Sequence, residues 1–316
     1  MTRHLLTITD LDADEVRVVL ELARRNPASL GRPLDGQGVA LIFQKASTRT
    51  RHSSEMAVVQ LGGHPVYTRA DEIGLDEREP TEDVVRILQG YHRIIAARVF
   101  EHQLLERMVA VSDVPIVNLL SDYAHPLQAV ADALTMEDAF GPLARRRVAW
   151  VGDYNNVARS LGEITVLLGG HIVFACPPDF EPADVELERL NVLGAGSAEH
   201  VWRAADAVAG ADAVHSDTWV SMGQEVEKDS RVRAFEGFTV DGDLMAGAAS
   251  DAVFMHCLPA YRGLEVSADV IDGPRSRVFA QGHARLPAVR GALAFLLERS
   301  ALPGRSALPG RSAGQQ

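Results

Sequence analysis

The chain has 316 residues, is 47% hydrophobic and 23% charged, and carries a formal net charge of −12. That length fits two domains, and the acidic balance excludes a general nucleic-acid or membrane-surface binder, which needs a positive field. Only two cysteines, no apolar run long enough to span a bilayer and no signal-like core in "MTRHLLTITDLDADE" together predict a cytoplasmic protein without a disulfide framework.

A first helix is predicted over residues 11–25. Asp12 and Glu15 have capping-box spacing, and Val16, Val19, Leu20 and Ala23 make one apolar face. Short apolar runs then alternate with helical patterns. The first half holds "GVALIFQ" (38–44), "HPVYTR" (64–69), "RIIAARVF" (93–100) and "VPIVNLL" (114–120). The second half holds "RVAWVGD" (147–153), "HIVFAC" (171–176), "ADAVHSD" (211–217) and "DAVFMHC" (251–257). Continuous apolar strands separated by helices predict an α/β fold of two similar lobes, each a parallel sheet flanked by helices. A helix over 126–140 would join the lobes, and a last helix over about 285–299 would return to the first. The predicted division is 1–140, 141–284, the returning helix 285–300, and a disordered tail 301–316, "ALPGRSALPGRSAGQQ".

Ligands in such sheets sit at the carboxyl ends of the strands. After the first strand comes "KASTRTR", which gathers Lys45, Arg49 and Arg51 with Ser47, Thr48 and Thr50 ahead of a helix. Ser47 or Thr48 suits its N-cap. Free N–H groups, the positive end of the dipole, hydroxyls and guanidinium groups then converge, which is how a phosphate is held. Arg98 lies inside the apolar run 93–100, in "IIAARVF", and needs an anionic ligand or a salt bridge to a helix acid. His125 and Gln128 in "SDYAHPLQ" share one helix face and offer N–H donors to a carbonyl or amide; alternatively His125 is a structural cap. Asn155 and Asn156 in "GDYNNVARSL" could meet a carboxylate or cap a helix. That turn lacks G-x-G-x-x-G, which argues against a dinucleotide site. Asp217 in "DTWVSMGQE" can hold an ammonium beside a Ser221-Met222-Gly223 turn. Cys257 in "HCLPAYRG" faces the same cleft or is an inert buried thiol. Arg285 begins the last helical pattern, where a cation is usually solvated. No metal-ligand spacing and no Walker A sequence occur.

"FQKASTRTR", "HPLQ", "DTWVSMGQE" and "HCLPAYRG" resemble, in order and spacing, the motifs of the ornithine carbamoyltransferases, from about residue 4 to 299. The first is shared with the wider transcarbamylase family; the S-M-G loop and H-C-L-P are more specific. The resemblance implies carbamoyl transfer from carbamoyl phosphate to L-ornithine, with no metal or organic cofactor, in a homotrimer or an assembly of trimers. It assigns carbamoyl phosphate to Ser47, Thr48, Arg49, Thr50, Arg98, His125, Gln128, Cys257, Leu258 and Arg285. Arg98, His125, Cys257 and Arg285 would be catalytic, and Asn156, Asp217, Ser221 and Met222 would hold ornithine.

The departures from the family pattern concern efficiency and acceptor choice. Glu72 stands where a loop Gln usually reaches a neighbouring subunit's carbamoyl phosphate. Leu119 and Tyr154 replace smaller residues, and Tyr261 replaces a frequent His. A related amine such as lysine or putrescine, or a weakly active anion-binding paralogue, are the alternative readings.

Overall fold

The structure, a computed structural model, describes residues 2–220 and 225–299. The first helix runs Ala13–Arg24 behind Asp12. The Asp12 carboxylate accepts the Glu15 N–H at 2.8 Å, and Glu15 accepts the Asp12 N–H at 3.2 Å. Two otherwise orphaned donors are thereby satisfied at the predicted box.

Two fully parallel sheets follow. In the first, β1 (Gly38–Phe43), β2 (His64–Arg69), β3 (His92–Arg98) and β4 (Ile116–Leu120) lie in the order β2-β1-β3-β4. In the second, β5 (Arg147–Val151), β6 (His171–Ala175), β7 (Ser197–Val201), β8 (Ala213–Ser216) and β9 (Val253–His256) lie in the order β7-β6-β5-β8-β9. β7 is a correction to the sequence reading of four strands per lobe. Its "SAEHV" has only Ala198 buried, because it is an edge strand with one neighbour, and it leaves no apolar run to detect.

Registers bring the strand ends level. Phe43 pairs with Arg98 and Arg98 with Leu120 in the first sheet; Val151 pairs with Ser216 and Ser216 with His256 in the second. The residues just past these positions therefore share one edge of each sheet.

Helix Pro126–Phe140 matches its predicted span, with Pro at the first turn where a missing N–H costs nothing. It is buried from Pro126 to Met136. The last helix runs Val278–Arg299, so it begins well before Arg285. Gly282 and Pro287 interrupt the helical pattern in sequence, and packing overrides them. It lies against helices Ala13–Arg24, Thr48–Gln60 and Pro126–Phe140. Val289, Leu293 and Leu296 are buried there, each contributing on the order of 2 kcal/mol by leaving water. Gly291 permits the close approach: a Cβ at that position would lie 2.6 Å from the Val19 carbonyl oxygen.

Candidate active site

A cavity of about 610 Å³ lies between the carboxyl edges of the two sheets and is lined from both lobes. Its anionic end starts at Ser47, which caps helix Thr48–Gln60 by accepting the Thr50 N–H at 3.4 Å and donates its hydroxyl to Thr50 Oγ1 at 3.0 Å. No acidic residue occupies the first turn. The helix terminus thus keeps its full attraction for an anion.

Two guanidinium groups reach Thr50. Arg98 is buried at the end of β3 and its Nη1 is 3.5 Å from Thr50 Oγ1; its Nε has no partner. Arg285 is buried in the last helix, donates to Thr50 Oγ1 at 2.9 Å and to Gln128 Oε1, and also leaves its Nε unpartnered. Among the described residues neither arginine forms an ion pair with a carboxylate. The salt-bridge reading of Arg98 and the solvated reading of Arg285 both fail. Burial pulls each guanidinium down to about 10, so both remain charged at neutral pH. Buried cations without counter-charge are costly unless an anion completes them.

His125 donates its backbone N–H to Ser160 Oγ at 2.9 Å, and its ring Nε2 lies 3.2 Å from Arg285 Nη1. An arginine can only donate, so Nε2 accepts and the ring proton sits on Nδ1, which has no partner. Burial, reinforced by the charges of Arg285 and Arg98, holds its pKa well below the ordinary value. The ring is therefore a neutral donor at pH 7. Gln128 behaves differently from the sequence expectation. Its N–H is committed to Asp132 at 2.8 Å, so its carbonyl oxygen faces the Arg285 group as an acceptor.

On the second lobe Asn155 caps helix Asn156–Leu167 and donates to Asp217 Oδ2 at 2.9 Å; Asn156 donates to the Ser121 carbonyl at 2.6 Å across the lobes. Asp217 Oδ1 accepts the Thr218 N–H at 2.8 Å and the Cys257 S–H at 3.1 Å. Burial, then the Asp217 charge, raises the Cys257 thiol well above its ordinary pKa. It is a donor rather than a thiolate nucleophile. Cys257 is expected to resist iodoacetamide at pH 8 in the folded protein and to react after unfolding in guanidinium chloride. Peptide mass spectrometry of the alkylated chain checks this; complete folded-state alkylation within minutes would contradict it.

Leu258 sits at φ 59° ahead of a cis bond to Pro259. A left-handed leucine costs about 1–2 kcal/mol. It is held by His256 Nδ1, which accepts its N–H at 2.9 Å, and by Arg49, which donates to its carbonyl at 2.7 Å and so ties the first lobe to the second. Asp217, His256 and Cys257 bring ligand atoms within 4.8 Å of one another. Each is already engaged internally, His256 Nε2 with Glu265 at 3.2 Å, so they do not form a ready metal site.

Ser221 and Met222 lie outside the described residues, as does the 301–316 tail. Within its own chain Glu72 is exposed on the short helix Ala70–Ile73, where it accepts the Arg69 N–H at 2.8 Å, and it does not line the cavity. Tyr154 turns its hydroxyl to Glu186 at 2.6 Å and packs edge-on to Phe174. Leu119 is buried and Tyr261 is exposed at the cavity rim. The sequence reading missed Asp132 and Gln281, buried behind the cavity. The available signal for Asp132 was a lone carboxylate in the otherwise apolar "QAVADALTM"; Gln281 fell ahead of the expected helix start.

The carbamoyl-P binding domain of aspartate/ornithine carbamoyltransferases matches residues 3–138, and the Asp/Orn binding domain of the same enzymes matches residues 144–296. An ornithine carbamoyltransferase from Parafrankia sp. (strain EAN1pec) is 43% identical over 307 residues, covering 94% of this chain and 97% of its own. The enzyme from Pyrococcus furiosus named ornithine carbamoyltransferase, anabolic, is 41% identical and covers 93% of this chain and 96% of its own. The crystal structure of ornithine carbamoyltransferase from Thermus thermophilus superposes with a TM-score of 0.85 at 40% identity, over 94% of this chain and 99% of that one. With both domains matched end to end and the strand-edge cavity between them, the chain belongs to the aspartate/ornithine carbamoyltransferase family.

Proposed function

We propose that this protein transfers the carbamoyl group of carbamoyl phosphate to the δ-amine of L-ornithine, giving L-citrulline and phosphate in arginine biosynthesis. The observation that carries the reading is the pair of buried guanidinium groups meeting at Thr50, neither ion-paired with a carboxylate among the described residues, in one cavity with Asp217 and the Asn155–Asn156 turn. A dianion satisfies the first set and a zwitterion the second.

Ser47, Thr48, Arg49 and Thr50 hold the phosphate, with Arg98 between phosphate and carbonyl. Arg285 and the Nδ1–H of His125 face the carbonyl oxygen. Gln128 and Leu258 offer carbonyl acceptors to the carbamoyl nitrogen, and Cys257 closes that side. Asn156 and Asp217, with Ser221 and Met222, orient ornithine by its α-carboxylate and α-ammonium. As the amine attacks, negative charge grows on the carbonyl oxygen and the departing phosphate. Fixed donors stabilise that charge more than the ground state, and alignment of the two substrates lowers the barrier further. No step requires a cofactor.

Residues 1–140 form the carbamoyl-phosphate lobe and 141–284 the ornithine lobe in this reading, with the last helix packed back on the first lobe. A homotrimer or assembly of trimers is part of it, supported by the family and by exposed apolar Met56 and Val59 on helix Thr48–Gln60 and Val66 on the edge strand β2. The loop bearing Glu72 would reach a neighbouring copy. A cytoplasmic location is also part of it, on the ground that Cys176 and Cys257 are both free thiols, as a reducing compartment keeps them. Among the described residues no helix is long and apolar enough to cross a membrane.

The test is a panel of amines (ornithine, lysine, putrescine, N-acetylornithine) with carbamoyl phosphate, scored by phosphate release and ureido product. Citrulline formation far above the rest supports the reading; preference for a diamine or no turnover overturns it. The attacking group is an alkyl amine, which ordinarily titrates at about 10.4 and must be deprotonated to attack. Hence kcat/KM for ornithine is expected to rise about tenfold per pH unit from pH 7 towards 9, measured at constant ionic strength; a flat profile would remove this amine-deprotonation step.

A further inference from the structure

Behind the cavity a polar cluster is sealed from solvent. Asp132, His215, His256, Glu265 and Gln281 are all fully buried. Asp132 stands one turn after Gln128 on the interlobe helix. Its Oδ1 accepts two donors, Gln128 Nε2 at 2.8 Å and Gln281 Nε2 at 2.6 Å, while its Oδ2 makes no hydrogen bond among the described residues and lies 3.6 Å from His215 Nε2. Gln281 stands one turn before Arg285 on the last helix. Its Nε2 also lies 2.9 Å from His215 Nε2, and its Oε1 accepts the His256 N–H at 2.8 Å. The second proton of that amide goes to His215 Nε2, which puts the ring proton on Nδ1, 3.1 Å from the Ser216 carbonyl. The amides and rings of the cluster thus take one mutually consistent set of orientations.

This arrangement bears on the cavity through Gln128. A glutamine amide in a polar pocket can turn over and exchange its N–H₂ for its C=O. Here Asp132 takes an N–H from behind and Arg285 gives one from in front, so only one orientation satisfies both. The carbonyl then faces the cavity, as an acceptor. Orthophosphate offers no nitrogen to such an acceptor, whereas a carbamoyl group does.

We propose that Asp132 is a positioning residue that fixes the Gln128 amide with its oxygen towards the carbamoyl nitrogen, and that Gln281 holds Asp132 in place. Discrimination between carbamoyl phosphate and free phosphate then originates partly behind the cavity. The inference deepens the function proposed above and rests on carbamoyl phosphate binding in this cavity.

Three proteins separate the possibilities: wild type, Asp132→Leu, which removes the acceptor at similar volume, and Asp132→Asn, which keeps an acceptor oxygen and removes the charge. Calorimetry with carbamoyl phosphate and with inorganic phosphate is combined with steady-state kinetics. Asp132→Leu is expected to weaken carbamoyl phosphate, in Kd and in KM, by about tenfold or more, the loss of one oriented hydrogen bond with an unpaired N–H. Inorganic phosphate affinity and the KM for ornithine should stay within about twofold, since neither ligand bonds to the Gln128 oxygen and Arg285 keeps its bond to Thr50. Asp132→Asn should remain within about threefold of wild type, because its oxygen can take the same two donors. Should Asp132→Leu fail to fold, Asp132→Val, smaller and equally unable to accept a hydrogen bond, carries the same expectation. Equal loss of both ligands, or no loss of carbamoyl phosphate, overturns the inference. So does an Asp132→Asn as impaired as Asp132→Leu, which would make charge rather than orientation the cause. A wild type that binds carbamoyl phosphate but forms no citrulline would instead overturn the proposed activity, leaving the binding comparison intact.

Discussion

Arg98→Met is expected to lower kcat/KM for carbamoyl phosphate by about 10²–10⁴ while the melting temperature holds or rises. Two charge-assisted contacts at about 1.5–3 kcal/mol each set the catalytic loss. The stability half of the expectation comes from what Arg98 lacks. It is buried with one marginal contact, 3.5 Å to Thr50, an unpartnered Nε and no carboxylate among the described residues. Arg49 lies close enough to repel it and adds to the fall of its pKa to about 10. A methionine fills similar space without a charge to desolvate, so the folded empty protein loses nothing that stabilises it. Steady-state kinetics and a thermal melt without ligand check the two halves. Loss of activity together with a large fall in melting temperature would show that Arg98 is part of the scaffold, and not a cation reserved for ligand.

The second large effect is structural. Gly291→Val should destabilise the protein by about 3 kcal/mol or more, at the upper end for overpacking. The added Cβ meets backbone, the Val19 oxygen at 2.6 Å and the Ala23 nitrogen at 2.7 Å, so no rotamer change relieves it. The last helix must move away from helix Ala13–Arg24. Arg285 and Gln281 ride on that helix, so activity should fall with stability. For a chain of this size the melting temperature drops roughly 2–4 °C per kcal/mol, read by differential scanning calorimetry. Gly282→Ala on the same helix is the control. Nothing lies within 4 Å of its added Cβ, and it should stabilise by about 0.5–1 kcal/mol. Equal responses of the two variants would locate the effect in helix propensity and not in the contact.

Much of this architecture is legible in local pattern. The capping box at Asp12 and Glu15, the Pro-started helix Pro126–Phe140 and eight of the nine strands follow from periodicity and end signals. Ser47 at the start of its helix is legible for the same reason: a side-chain cap depends on residues three apart. β7 escapes because an edge strand needs no apolar run, and the start of the last helix escapes because Pro287 and Gly282 weaken a pattern that packing restores.

Roles are less legible than positions. The sequence casts Gln128 as a donor, and it is an acceptor, because Asp132 behind it takes the N–H. Arg285 carries the ordinary expectation of a solvated cation and is buried, because the helix that bears it packs against helices Ala13–Arg24, Thr48–Gln60 and Pro126–Phe140. Glu72 enters the sequence reading as a departure at the carbamoyl phosphate site, yet in its own chain it is a helix cap in solvent.

The sequence by itself determined eight of the nine strands, the starts of helices Ala13–Arg24, Thr48–Gln60 and Pro126–Phe140, and the residue types at each carboxyl edge, since these depend on neighbours a few residues away. Only the tertiary structure decided which of them meet and in what protonation state. Arg285 and Thr50 are 235 positions apart, and Arg285 and His125 are 160 apart. Their contact is fixed by two parallel sheets presenting their edges to one cavity and a terminal helix laid back on helices Thr48–Gln60 and Pro126–Phe140. The depressed His125, the protonated Cys257 and the uncompensated arginines follow from that enclosure, because the cost of a charge depends on how much water and which neighbours surround it.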